Sequence, residues 1–353
     1  MEPTLTKVAE NLYRNAHGTY FALLKVRGTQ IKRSLKTGDR ALANRRLSEL
    51  RIKVQGLSGD EKSMTFDHLA ARWLASKKPE LRPSSYGRLE GTIRSVTPFF
   101  KGLPVRSIGN TEIERWNAKR SAEISPRTFN YERDTLKLVF EYARTTLRIL
   151  LDNPAEGVKK RKGIKPMLEI PSKGQFRAVM AALRAEPRAK EAADFIEFLG
   201  YSGLRLGEAR EVRWRDVDFE RDTLTVTGGE HGTKNHEERL VPLFPPLRRL
   251  LCDLDERRAP GSPASQCLFG LESAKKALGT ACKTAALPHY GHHAMRHFFC
   301  SNAIEAGCDF KVIAEWLGHK DGGVLVAKTY GHLRNEHSAA MAKRITFDLT
   351  APE

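Results

Sequence analysis

The sequence predicts a multidomain protein that is mainly α-helical with small β elements. The chain has 353 residues, which is more than one ordinary hydrophobic core accommodates. Strand-like alternation occurs within residues 11–37 and again between residues 223 and 241, whereas most other apolar positions recur with helical spacing. Polar or basic stretches separate these segments. We therefore predict a small strand–helix domain at 1–62, a helical domain at 63–158, a basic linker at 159–171 and a mixed α/β domain at 172–353.

Positive charge is concentrated in the first half of the chain. The net charge is +18 and the pI about 9.8, which indicates a polyanionic partner. Residues 1–62 carry 13 Lys and Arg against 6 Asp and Glu, residues 63–165 carry 21 against 11, and the rest carries 26 against 25. The first two domains are therefore predicted to bind a polyanion. Because the last domain has almost no net charge, an arginine there is better explained by a specific role than by a basic surface.

The N-terminal segment is predicted to form a ββ(β)α unit. Two alternating runs, 20–26 and 31–35, flank a turn at Gly28, and a helix follows Asp39, a suitable N-cap. A basic surface of this kind often faces only solvent, but charge crowded on one hairpin favours a β-ribbon in a DNA groove. The candidate DNA-binding residues here are Lys25, Arg27, Lys32 and Arg33.

The second segment is predicted to contain four amphipathic helices and no strand, the last helix ending at Asn153-Pro154. Its polar faces and the linker that follows are rich in arginine and lysine. Such charges usually mark a solvated face, but the local excess favours a DNA clamp, with the linker lying along phosphates. The candidates are Arg88, Arg94, Arg127, Lys160 and Arg161.

Cysteine and hydropathy patterns exclude several classes of protein. The five cysteines are odd in number and none form a C-x-x-C pair, so we expect neither a disulfide framework nor a zinc knuckle. No signal peptide or membrane-spanning run is apparent, and we expect a cytoplasmic protein. His293 and His297 have the i, i+4 spacing of a zinc protease pair, but Ala294 stands where the catalytic glutamate would be. No metal or other cofactor is expected.

The chemistry is predicted to lie in the last quarter of the chain. Three boxes occur there, namely His293-Ala294-Met295-Arg296-His297, Leu317-Gly318-His319 and Tyr330-Gly331-His332. A guanidinium matches phosphate oxygens, and a phenol near an imidazole is a candidate nucleophile. These side chains together suggest metal-free attack on a phosphodiester.

These boxes, preceded by Gly203-Leu204-Arg205-Leu206-Gly207-Glu208, resemble the catalytic motifs of tyrosine recombinases of the phage-integrase type. Each box alone is unspecific, but four boxes in the family's order, with Tyr330 eleven residues after His319, are specific. The resemblance covers about residues 170–335. By architecture the helical domain resembles the family's core-binding domain, and the N-terminal unit resembles its arm-binding domain.

The resemblance implies a role for each matching residue. Tyr330 would be the nucleophile that forms a 3′-phosphotyrosyl link, with Arg205, Arg296 and His319 on the non-bridging oxygens. His293 would be the general base or would orient the tyrosine, although His292 beside it is a rival. Lys234 would be the general acid for the 5′-oxygen, and a solvated hairpin residue is the alternative. Glu208 and His332 would support the site.

The predicted function is therefore site-specific recombination that integrates and excises a phage or another mobile element. The resemblance implies four protomers on two DNA duplexes, assisted by accessory DNA-bending or directionality proteins. A type IB topoisomerase-like enzyme is one alternative, since it would share the chemistry without pairing two sites. A catalytically silent DNA-binding regulator on the same scaffold is the other.

Overall fold

The computed structural model describes residues 5–26, 29–57, 63–163, 169–227, 238–324, 326 and 327. The chain divides into two compact units, Met1–Lys165 and Pro166–Glu353. Of the 60 Lys and Arg residues, 34 lie in the first unit, which has 17 acidic residues; the second unit is nearly neutral. The fold is mainly α-helical with two small sheets, as predicted.

The first unit begins with a four-stranded antiparallel sheet in the order β1-β2-β3-β4. The strands are β1 (Leu5–Ala9), β2 (Leu12–Asn15), β3 (Tyr20–Val26) and β4 (Thr29–Ser34), and helix α1 (Arg40–Gln55) packs on them. The Asp39 side chain caps α1 by accepting from Leu42 N at 2.6 Å, as predicted. Strand β1 lies outside the predicted strand region, because its five residues alternate weakly and it is held by backbone pairing with β2.

Four helices complete the first unit: α2 (Phe66–Lys77), α3 (Pro83–Phe100), α4 (Asn110–Glu123) and α5 (Pro126–Thr145). Their shared core is aromatic, with Phe66, Phe100, Trp116, Phe129 and Phe140 fully buried. Helix α5 ends at Thr145 and not at Asn153 as predicted. Arg148 adopts a left-handed conformation with φ 54°, and Ile149 N donates to Ala143 O, so the chain reverses there.

The sheet and the helices of the first unit contact each other. Leu151, which follows α5, packs against the apolar core between the sheet and α1. The neighbouring Asp152 forms an ion pair with Arg33 on β4. Arg33, predicted to bind DNA, therefore already has an acidic partner within the protein.

The second unit contains seven helices and a small antiparallel sheet among its described residues. The helices are α6 (Lys173–Ala185), α7 (Lys190–Ser202), α8 (Leu206–Glu211), α9 (Pro245–Glu256), α10 (Lys275–Thr284), α11 (His292–Glu305) and α12 (Phe310–Leu317). The strands are β5 (Val217–Asp218), β6 (Thr223–Val226) and β7 (Arg239–Pro242), in that order. Helices α7 and α11 are buried along most of their length and form the framework of the unit. No helix in the described parts of the chain is long and apolar enough to cross a membrane.

Candidate active site

A tight turn after α7 places Arg205 at the start of α8. Gly203 ends α7 in the left-handed region with φ 67°, which favours glycine. A Cβ atom there would also lie 2.5 Å from Cδ1 of Phe299, so no side chain fits. The chain then extends through buried Leu204 to Arg205, the N-cap residue of α8. Arg205 therefore lies at a helix N-terminus, where backbone N–H groups add positive potential.

The buried Glu208 forms hydrogen bonds with both the backbone and the side chain of Arg205. Its side chain is only 5% exposed, and it accepts from the backbone N of Arg205 at 3.0 Å and from Nη1 of Arg205 at 2.8 Å. Burial raises the pKa of Glu208, but hydrogen bonds and charge from Arg239 and Arg205 outweigh it and lower the pKa to about 2. Glu208 is therefore a carboxylate at neutral pH and orients the Arg205 guanidinium.

Arg296, on α11, connects three parts of the chain. Its Nη1 donates to Gly203 O at 2.8 Å, and its Nη2 donates to Leu317 O at 2.7 Å and lies 2.9 Å from Nε2 of His319. The residue is 4% exposed. A guanidinium stays charged when buried, so Arg296 contributes a fixed positive charge that little water screens.

His319 follows α12 through Gly318, whose φ of 67° again favours glycine. Because Arg296 can only donate, Nε2 of His319 accepts and the ring proton resides on Nδ1. Nδ1 is buried and has no hydrogen-bond partner among the described residues. Burial, then Arg296 and Arg205, lower the pKa of His319 to about 4, so the ring is neutral at pH 7. A buried polar atom without a partner, on a ring that binds Arg296, is a feature of a ligand site.

The two neighbouring histidines of α11 have different surroundings. Nε2 of His292 accepts from the backbone N of Ala274 at 3.1 Å, which ties His292 to the start of α10. His293 is half-buried, and burial, then Arg296 and Arg205, lower its pKa. Its ring packs edge-on against that of His297 with centroids 4.5 Å apart. His292 is therefore bound to α10, whereas His293 is the one of the two whose pKa Arg296 and Arg205 lower.

The structure thus brings Arg205, Glu208, His293, Arg296 and His319 into one cluster, although they come from α8, α11 and the end of α12. Three further predicted residues, Lys234, Tyr330 and His332, lie outside the described residues.

The predicted DNA-binding residues of the first unit have varied surroundings. Lys25 is exposed on β3, Lys32 is exposed on β4, and Arg27 lies outside the described residues. On the helices, Arg127 is exposed, Arg94 lies 4.0 Å from Glu90, and Arg88 stacks over the Tyr131 ring. In the linker, Lys160 pairs with Asp134 at 3.0 Å, and Arg161 donates to Ile124 O at 3.1 Å.

One buried arginine of the cluster was not predicted. Arg239, on β7, binds both carboxylate oxygens of Glu208, at 3.3 and 2.7 Å. The only signal in the sequence is an arginine inside a β-rich run of a domain without excess charge. Such a signal does not name a partner 31 residues away.

Comparisons with known proteins agree with this geometry. Residues 172–337 match the model of the phage integrase family, and residues 65–121 match the phage integrase N-terminal SAM-like domain. The prophage ps2 probable integrase of Lactococcus lactis is 22% identical over 76% of this chain and 79% of its own length. Tyrosine recombinase XerA of Pyrococcus furiosus is 28% identical over 66% of this chain and 81% of its own. Among solved structures, a lambda integrase tetramer bound to a Holliday junction has a TM-score of 0.62 at 17% identity, covering 90% of this chain and 98% of that one.

Fold and site define an enzyme of the class that breaks and rejoins DNA with arginine and histidine side chains around a phosphodiester. The chain belongs to the tyrosine recombinase family, of the phage-integrase type.

Proposed function

We propose that the protein is a site-specific DNA recombinase that cuts and rejoins DNA through Tyr330 and thereby integrates and excises a mobile element. The observation that carries this proposal is the convergence of Arg205, Arg296 and neutral His319 on one spot of a unit with almost no net charge. Two guanidiniums concentrated in this way, together with an imidazole, stabilise negative charge that develops in a transition state.

The proposed reaction uses each group once. Tyr330 Oη attacks phosphorus and its proton passes to His293, while Lys234 protonates the departing 5′-oxygen. Arg205, Arg296 and His319 stabilise the extra charge on the non-bridging oxygens. The product is a 3′-phosphotyrosyl ester and a free 5′-hydroxyl. Because the ester retains the energy of the broken bond, a 5′-hydroxyl can reverse the step without ATP.

His293 is preferred over His292 as the imidazole that receives the proton. His292 already uses Nε2 to accept a backbone hydrogen bond, and that role fixes its ring against α10. The lowered pKa of His293 keeps its ring neutral at pH 7, which is the form that can accept a proton.

The role proposed for Lys234 can be tested with a leaving group that needs no proton. Replacing the bridging 5′-oxygen with sulfur gives a thiolate, which departs without protonation. We expect Lys234→Ala to cleave ordinary DNA about 10²-fold or more slowly but to cleave the sulfur-containing DNA almost as fast as the wild type. Single-turnover rates on the two substrates would measure this.

Arg205→Ala is the control, because its target is charge on the non-bridging oxygens and sulfur should not rescue it. If sulfur rescues both variants or neither, Lys234 is not the proton donor.

The basic first unit is proposed to hold the DNA, with the helical part on the core site and the N-terminal sheet on a separate arm-type site. Its 34 basic against 17 acidic residues support this division of labour. Four protomers on two duplexes are proposed as the working assembly, as in the lambda integrase tetramer on a Holliday junction. Accessory bending or directionality proteins would set the favoured direction.

The exposed Lys25 offers a test of the N-terminal sheet in the full-length protein. If Lys25 contacts an arm-site phosphate, Lys25→Glu should weaken binding to DNA that carries arm sites. The slope of log affinity against log salt should also become shallower by about 1. Cleavage of a short core site at saturating protein should not change. Unchanged affinity and slope would contradict the arm-site proposal.

The overall function is tested by mixing the protein with two DNA molecules that carry sites taken from the junctions of its own element. A recombinase exchanges flanking sequences between them, whereas a topoisomerase-like enzyme only relaxes supercoils. A silent regulator binds and does neither. Absence of exchanged products from sites that the protein binds and cleaves would contradict the proposal.

A further inference from the structure

Arg239 donates to protein acceptors from each of its three side-chain nitrogens. Its Nη1 and Nη2 donate to the two carboxylate oxygens of Glu208, at 3.3 and 2.7 Å, and its Nε donates to Trp316 O at 2.7 Å. The side chain is 10% exposed. Both of its Nη groups donate to a carboxylate, so the charge of Arg239 is already paired within the protein.

Glu208 is shared between two guanidiniums as a result. Its Oε1 binds Nη1 of Arg205 at 2.8 Å, and its Oε2 binds the backbone N of Arg205 and Nη2 of Arg239. A buried carboxylate between two arginines stays ionised and fixed in orientation. Removing Arg239 leaves a buried carboxylate with one partner and removes the main influences that lower its pKa.

The hydrogen bond from Arg239 to Trp316 O helps to position His319, which follows α12. Trp316 O belongs to the last turn of α12, and the adjacent Leu317 O accepts from Arg296. Two guanidiniums therefore hold the carboxyl end of α12, where the helix dipole favours positive charge. A Cβ atom on Gly318 would lie 3.0 Å from Nη1 of Arg239, so the guanidinium packs directly on the turn that leads to His319.

The strand that carries Arg239 also borders the segment with Lys234. Arg239 begins β7 and pairs with Val226, the last residue of β6. Residues 228–237, between the two strands, lie outside the described residues. Arg239 therefore ties the start of β7 to Glu208 and to α12.

We infer that Arg239 is a positioning residue for cleavage. It holds Arg205 through Glu208, and it holds His319 through the end of α12, without touching the DNA. This inference rests on the proposed function, because positioning is defined relative to a phosphate bound by Arg205 and His319. A purely stabilising ion pair is the alternative, and it makes a different prediction for rate and pH.

The test compares Arg239→Met with Arg257→Met in the full-length protein. Arg257 is a matched control in the same unit, since it donates to the buried Asp194 at 2.9 Å and to Asp253 O at 2.8 Å, outside the cluster. We expect Arg239→Met to cleave a nicked suicide duplex about 10²-fold more slowly, as small displacements of reacting groups cost rate. Its DNA affinity should stay close to that of the wild type, and Arg257→Met should cleave normally.

The pH profile separates positioning from stability. Without Arg239 the pKa of Glu208 should rise from about 2 towards its ordinary value or above, because burial is then opposed mainly by Arg205. Protonated Glu208 no longer holds Arg205 by charge. The rate of Arg239→Met relative to wild type should therefore fall further as the pH is lowered from about 8 to about 5. A stabilising role alone would give a constant ratio at saturating DNA.

Arg239→Lys decides the question if Arg239→Met does not fold. A lysine keeps the charge near Glu208 but cannot bridge both carboxylate oxygens and Trp316 O, so we expect a rate about 10-fold below wild type. Wild-type rates in both Arg239 variants, equal losses in Arg257→Met, or a constant pH ratio would overturn the inference alone. A wild-type protein that forms no covalent adduct would overturn the proposed function and this inference with it.

Discussion

Replacing Tyr330 with phenylalanine should abolish covalent attachment to DNA and leave DNA binding intact. The substitution removes one oxygen, the proposed nucleophile, while Arg205, Arg296 and His319 remain in place. A nicked suicide duplex traps the reaction, because the short cleaved strand diffuses away and cannot be rejoined. The wild type should form an adduct that resists denaturant, also in the presence of EDTA, and Tyr330→Phe should form none.

A second tyrosine in the same unit provides the control. Tyr290 is buried just before α11 and is 3% exposed, and Tyr290→Phe makes the same chemical change outside the cluster. It should form the adduct at the wild-type rate. The adducted peptide from the wild type, sequenced after digestion, should contain residue 330. An undiminished adduct in Tyr330→Phe would remove Tyr330 from the mechanism.

The second large effect is expected at the two arginines of the cluster. Arg205→Ala and Arg296→Ala should each reduce the single-turnover cleavage rate by at least about 10²-fold, by comparison with deletion of one donor to an oxyanion. The loss arises because each guanidinium stabilises charge that is larger in the transition state than in bound DNA. DNA affinity should change much less, since most basic residues lie in residues 1–165.

The two substitutions differ in their effect on stability. Arg205 has a side chain 27% exposed, and Glu208 keeps Arg239 on both oxygens when Arg205 is removed, so Arg205→Ala should cost less folding energy than Arg296→Ala. Arg296 is 4% exposed and satisfies Gly203 O and Leu317 O, so Arg296→Ala should also lower the unfolding temperature. Arg296→Lys keeps the charge and limits that cost.

Arg210 is a suitable control for both variants. It lies on the same short helix as Glu208, but its side chain is 40% exposed and 3.8 Å from Glu272. Arg210→Ala should bind and cleave as the wild type does. If Arg205→Ala and Arg296→Ala lose binding and cleavage in equal proportion, these arginines only grip DNA.

Local patterns in the sequence were sufficient to predict the mainly helical architecture and the family. Apolar spacing predicted the four helices that follow the sheet in the first unit, and Asp39 predicted the start of α1. Four short boxes in one order predicted the family. Each of these features depends on residues that are close to one another in the sequence, so the sequence alone is enough to predict it.

Local patterns were insufficient where the backbone changed direction without a glycine or proline to predict the turn. Helix α5 ends at Thr145, and Arg148 just after it takes a left-handed conformation. An arginine in a sequence does not predict such a conformation, whereas a glycine would. Strand β1 depends on pairing with β2 more than on its own alternation. Both errors come from interactions that the segment does not contain.

The sequence by itself determined the class of chemistry, because Arg205, His293, Arg296 and His319 stand in recognisable boxes. Only the tertiary structure decided that His292 is occupied by α10, that Arg296 is buried, and that Arg239 shares Glu208 with Arg205. The contacts of Arg296 and Arg239 join residues from 21 to 93 positions apart. Such contacts have no local periodicity, and their energy depends on burial and hydrogen-bond geometry that exist only after the helices have packed.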